Sequence, residues 1–176
     1  MNKIVVIFFL IILFSCKSKK NIEDKVFYNE NNNTTLIKGL KEIDSIDLLG
    51  KWENIEDETN LKQTSYKNNE NIITINFTKK TNYSKFKNAS DIDFFKNEVD
   101  HILYVLKYFN EEYTFLETDY LSYYSLKYID KNKSNEIVQL IGLKNGVVIN
   151  LTVINSNKNI DEKLQYLNSI FNYIKI

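Results

Sequence analysis

Arginine is absent from this chain of 176 residues. The bidentate guanidinium clamps that proteins place on phosphates and carboxylates are therefore unavailable to it. Cysteine and histidine occur once each, as Cys16 and His101. Zinc sites draw mainly on those two residue types, and a lone cysteine offers no internal disulfide in any redox compartment. Four glycines supply no glycine-rich phosphate loop, no dinucleotide fingerprint and no Gly-x-Ser-x-Gly turn. An excess of positive charge is also missing. The 23 basic and 23 acidic residues balance to a net charge of +0, which is no electrostatic footprint for nucleic acid. His101 is the only conventional general base, and no serine lies in the strained turn that a triad needs. It is expected to pack its ring at the margin of a helix. Glu53, Glu56, Asp57 and Glu58 cluster without the spacing of a calcium loop and read as a solvated loop. No metal, no cofactor and no enzymatic activity are expected.

What is present begins at the N-terminus. Lys3 is followed by an unbroken apolar run of eleven residues, Ile4 to Phe14, and the chain turns polar at Lys17-Ser18-Lys19-Lys20. Crossing a bilayer takes roughly 20 apolar residues, whereas the apolar core of a secretory signal runs roughly 7–15. Leu13-Phe14-Ser15-Cys16 resembles the lipobox of bacterial lipoproteins, with Phe14 bulkier than the usual occupant. The resemblance implies cleavage before Cys16, a diacylglycerol thioether on its sulfur and an acyl chain on its new amino group. Each buried methylene adds about 0.8 kcal/mol and stable anchoring takes two chains, so the bilayer itself is an expected partner.

Lysine, asparagine and isoleucine are heavily used, while arginine, proline, alanine and glycine are scarce. That bias follows from an AT-rich genome and, beside a short lipoprotein signal, resembles flavobacterium-type Bacteroidetes. The many Asn-x-Ser/Thr triplets are expected by chance in such a chain. Asp44-Ser45-Ile46 resembles the O-glycosylation motif of Bacteroidetes exported proteins, which makes Ser45 a candidate modification site. Surface-export signals of that group are acidic after the cysteine. Lys17, Lys19 and Lys20 stand there instead, so the expected location is the outer membrane, facing the periplasm, with the cell surface as the alternative.

The expected division is a signal peptide over 1–15, a lipidated Cys16 with a flexible tether over 16–42, and one domain over 43–176. The tether reading rests on a polar, unpatterned stretch centred on Asn31-Asn32-Asn33, a coil spanning on the order of 25–30 Å. Within the domain, strands are expected near 52–55, 62–66 and 72–78, where Ile73, Ile75 and Phe77 alternate with Thr74, Asn76 and Thr78. Ser90 opens a helix to Phe109, with Ile92, Phe95, Val99, Ile102, Leu106 and Phe109 on one stripe. Strands follow near 113–117 or 120–129, then 136–143 and 147–154. The last two are joined by Asn145-Gly146, a strong signal for a type I′ hairpin. A second helix runs Ile160–Ile174 with Asn159 and Glu162 at its start.

Strands, a long helix, an antiparallel meander and a terminal helix make an α+β domain with helices packed on a sheet. The helix at 91–109, the tyrosine-rich strand at 121–129, the hairpin through Asn145-Gly146 and the closing helix resemble the PsbP-like fold over residues 50–176. Gly50-Lys51-Trp52 resembles the opening of a lipocalin-like barrel, which is the alternative. Such folds host several functions, so no activity follows from either.

Tyr113, Tyr120, Tyr123, Tyr124 and Tyr128 crowd one stretch. Tyrosine suits strands and also binding surfaces, and Tyr120 and Tyr123 are the candidate contact patch. The expected function is a membrane-anchored, non-catalytic module binding an unidentified protein in the envelope, an immunity lipoprotein being one form. The alternative is a periplasmic carrier of a small apolar ligand.

Overall fold

A computed structural model describes residues 25–40, 43–55, 64–69, 71–109, 111–119, 121–130 and 135–176. Three short strands come first: β1 (Lys25–Asn29), β2 (Thr34–Lys38) and β3 (Ser45–Leu49). They form an antiparallel sheet in that order. Seven more make a second sheet: β4 (Glu53–Ile55), β5 (Thr64–Asn68), β6 (Asn71–Lys79), β7 (Tyr113–Asp119), β8 (Tyr123–Asp130), β9 (Asn135–Lys144) and β10 (Val147–Asn155). Its order is β4-β5-β6-β10-β9-β8-β7 and every pairing is antiparallel. Helix α1 (Asp91–Tyr108) interrupts the strands after two 3-10 turns, and α2 (Ile160–Tyr173) follows the last strand. The fold is α+β.

Alternation along β10 shows why both faces of the large sheet are covered. Val147, Ile149, Leu151 and Val153 point into the larger core, with Leu164, Leu167 and Ile170 of α2 and Ile37, Ile46 and Leu48 of the small sheet. Val148 points the other way, into a smaller core with Phe94, Phe95, Val99 and Leu106 of α1 and Tyr124, Leu126 and Ile141 of the strands. A side chain on β10 thus chooses its core by parity alone. Burial of each such aliphatic or aromatic side chain contributes about 1.5–3 kcal/mol. The β9–β10 turn has Asn145 at φ 49° and Gly146 at φ 75°, the two positive values that a type I′ turn requires.

The tether expected over 16–42 is corrected for its second half. Residues 25–38 are a hairpin, and Val26 and Ile37 reach the larger core. The asparagine run is its turn, with Asn33 at φ 48°, a conformation that asparagine tolerates better than most residues. The β-branched and aromatic residues on either side, Val26, Phe27 and Tyr28 before it and Thr34, Thr35 and Ile37 after it, are the strand signal that the polar composition concealed. Residues 17–24 lie outside the described residues.

A barrel is also overturned, because the large sheet is open, with β4 and β7 at its two edges. Gly50-Lys51-Trp52 instead ties the two sheets together. The buried Thr35 hydroxyl donates to the Gly50 carbonyl at 2.6 Å and accepts from the Trp52 N–H at 2.9 Å. The Trp52 indole N–H donates to the Leu49 carbonyl at 2.9 Å, and its ring stacks on Tyr166 with centroids 6.2 Å apart.

Candidate interaction surface

Helix α1 starts where expected. The Ser90 side chain accepts from the Asp93 N–H at 3.1 Å, and Asp91 and Asp93 sit in the first turn, where carboxylates suit the positive end of the helix. Phe95, Val99 and Leu106 are buried on the expected stripe and Ile102 packs at its margin. The two ends of that stripe are corrected. Ile92 is exposed, Phe94 is fully buried off the stripe with its ring 5.3 Å from Phe86, and Phe109 is 64% exposed. Over 18 residues the 3.6-residue repeat rotates the last turn away from the strands.

On the face opposite Leu106, Tyr104 and Tyr108 stand in solvent, 65% and 69% exposed. Four residues apart, they stack at 6.4 Å, and Phe109 meets Tyr108 edge-on at 5.2 Å. The Phe109 N–H still bonds the Val105 carbonyl, and the Glu111 N–H returns to Leu106 at 2.9 Å. The chain then enters β7, the outermost strand, on which Leu116 alone is half-buried. Tyr113 and Phe115 on it are 37% and 43% exposed and lie 5.6 Å apart. A ring chain runs inward from there, Phe115 to Tyr124 at 6.1 Å and Tyr124 to the buried Phe95 at 5.6 Å. The exposed rings are thus braced by the smaller core.

β7 carries a bulge between Phe115 and Glu117, and Ser125 on β8 repairs it. Its hydroxyl accepts from the Glu117 N–H at 2.9 Å and donates to the Glu117 carbonyl at 3.0 Å. At the far end of the strand the Ser122 hydroxyl and then the Leu121 N–H hold the Asp119 carboxyl below its usual range.

The side chains singled out from the sequence fall elsewhere. Cys16 and Tyr120 lie outside the described residues. Tyr123 is half-buried on β8, opposite Asp119 and Gly142. It therefore points to the α2 face, while Tyr124 and Phe115 point to the α1 face. Ser45 opens β3, half-buried, beside Lys38 in register and bridged to Lys175. Glu53 is exposed on β4, and residues 56–58 of the acidic cluster lie outside the described residues. His101 is exposed on α1 rather than packed. Near it, burial raises the Glu98 carboxyl above its ordinary value, with the His101 and then the Lys85 charge opposing that rise. Burial, then the Glu98 charge, raises the Tyr83 hydroxyl. Among the described residues no group of three or more metal-ligating side chains gathers, and no helix is long and apolar enough to cross a membrane.

A cleft of about 550 Å³ is lined by Asn69, Asn71, Asn157, Lys158 and Glu162. Amides and charges are the wrong lining for an apolar ligand.

No family model and no curated protein matches the chain. Among solved structures it is similar to the solution structure of cyanobacterial PsbP (CyanoP) from Synechocystis sp. PCC 6803. The TM-score is 0.41 at 7% identity, covering 92% of this chain and 97% of that one. At that identity and superposition neither activity nor partner transfers.

Spacing discloses the aromatic surface only in part. Tyr104, Tyr108 and Phe109 sit on a helix whose stripe predicts burial for Phe109 itself. One signal was available: Tyr104 and Tyr108 share a helix face that the stripe does not include.

Proposed function

We propose that this chain is a non-catalytic protein-binding module of the bacterial envelope, held through acylated Cys16 in the outer membrane and facing the periplasm. The observation that carries the binding reading is the run of exposed rings, Tyr104, Tyr108, Phe109, Tyr113 and Phe115, at one end of α1 and along the open edge of the sheet. Large aromatic side chains left in solvent cost hydration free energy and mark contact surfaces when they gather. Anchoring is supported by the short apolar run, the lipobox-like Leu13-Phe14-Ser15-Cys16 and the polar residues after it. The non-catalytic reading is supported by the single histidine lying exposed on a helix surface.

The test is purification of the lipidated protein from its own host in mild detergent. One stoichiometric partner is expected, lost in the Tyr104→Ser, Tyr108→Ser double variant. Absence of any partner above background would sink the binding reading. The intact mass of the same preparation should correspond to a chain starting at Cys16 with acyl chains attached, and an unacylated mass would sink the anchor.

A further inference from the structure

We infer that β7 is a docking edge for an extended, lysine- or arginine-bearing segment of another protein, which joins the large sheet as a further strand beside Tyr113–Asp119. This rests on the binding-module reading and adds the chemistry and geometry of the partner. Among the described residues no strand lies beyond β7. One row of its backbone N–H and C=O groups therefore faces outward, and such groups pair with any strand that approaches.

Charge selects the partner. Glu111, Glu112, Glu117 and Asp119 lie within residues 111–119, and that stretch holds no basic residue. Lys127, the lysine of β8 that faces Thr114 in register, is engaged by Glu136 at 3.6 Å. Hydrogen bonds from the Ser122 hydroxyl and the Leu121 N–H favour the charged form of the Asp119 carboxyl further. The rings add to this selection, because aromatic faces attract cations as carboxylates do. Tyr104, Tyr108 and Phe109 lie just before the strand, with Tyr113 and Phe115 on it. A second copy of this chain suits the edge poorly, since pairing β7 with β7 sets two such acidic strands side by side. An anionic lipid surface is repelled by the same carboxylates.

The test titrates the lipidated full chain in mild detergent with three synthetic peptides of about nine residues, the span of a long strand. The first alternates lysine with valine, the second alternates glutamate with valine, and the third is the lysine–valine sequence with every backbone nitrogen methylated. The lysine–valine peptide should bind and slow amide hydrogen exchange across 113–119. Affinity should fall with salt, and about tenfold in the Glu112→Lys, Glu117→Lys double variant, both residues being exposed charges outside either core. The Tyr104→Ser, Tyr108→Ser variant should weaken it as well.

Equal binding of the N-methylated peptide would overturn strand addition, because it has no backbone N–H to pair. So would binding without slowed exchange in 113–119, preference for the glutamate–valine peptide, or a chain that pairs with itself through β7. A host partner that survives charge reversal overturns this inference and leaves the module reading standing. A lysine–valine peptide seated on β7 of a chain with no envelope partner supports the edge chemistry and removes the module reading.

Discussion

The two helices carry the same kind of sequence signal and end in opposite ways. Each has a side-chain cap, an acidic first turn and one apolar stripe. Helix α2 is held at both ends. At its start Asn159 and Glu162 bond reciprocally, the Asn159 side chain accepting from the Glu162 N–H at 3.0 Å and the Glu162 carboxylate from the Asn159 N–H at 2.9 Å. At its finish the Lys144 ammonium donates to the carbonyls of Phe171, Asn172 and Ile174 at 3.3, 3.1 and 2.7 Å, which is where the last turn has unpaired acceptors and negative potential. Beyond it Ile174 is buried and Lys175 bridges to Ser45. Helix α1 finishes instead in the exposed rings of Tyr104, Tyr108 and Phe109. The end that is tied off serves stability, and the end left open is the one available to a partner.

The strongest test of that contrast truncates each stripe at its most buried point. Phe95→Ala should cost about 3–5 kcal/mol and Leu167→Ala about 2–5, read as urea midpoints followed at Trp52. Trp52 sits in the larger core, so a single shared transition for both variants would join the two faces into one cooperative unit. A Phe95→Ala chain that melts in two steps would divide them.

A smaller effect is expected at the α2 finish. Lys144→Met removes the donor to three carbonyls while keeping the stem, and should cost about 1–3 kcal/mol. Hydrogen exchange should quicken in residues 170–176 and stay unchanged in 104–109. Equal quickening at both helix ends would erase the distinction between them.

The smallest effect is electrostatic. The folded Glu98 carboxyl titrates above its ordinary 4.5, chiefly because burial disfavours its charge. The folded state then holds the proton more readily than the unfolded chain. The stability this contributes is fully present below 4.5 and is lost as pH rises through the folded value. Glu98→Gln should flatten that part of the profile, measured as urea midpoints from pH ~4 to ~7. An unchanged profile would assign the slope to other carboxylates.

Much of the fold is legible in local pattern. Ser90 and Asn159 announce the helices, Asn145-Gly146 announces the central hairpin, and alternation in 147–153 alone names the inward residues of β10. The reading fails where composition masks pattern. Asn31-Asn32-Asn33 suggests a coil, yet short flanking strands of β-branched and aromatic residues find β3 to pair with and become a sheet. It fails again at the interaction surface, because tyrosines at 104, 108, 113, 120, 123 and 124 look alike in sequence. Only register separates them, sending Tyr123 toward α2, Tyr124 into the smaller core and Tyr113 to the edge.

The chemistries open to this protein, its two capped helices and the turn of its main hairpin all depend on residues within a few positions of one another, and so can be read along the chain. Long-range packing instead sets which faces of the large sheet are covered, requires Gly142 to be bare because the Phe171 ring lies where a Cβ would go, and leaves β7 at an open edge beside exposed rings. Those outcomes depend on which distant segments meet, and that is settled by the competition of all apolar surfaces for burial rather than by any local stretch of chain.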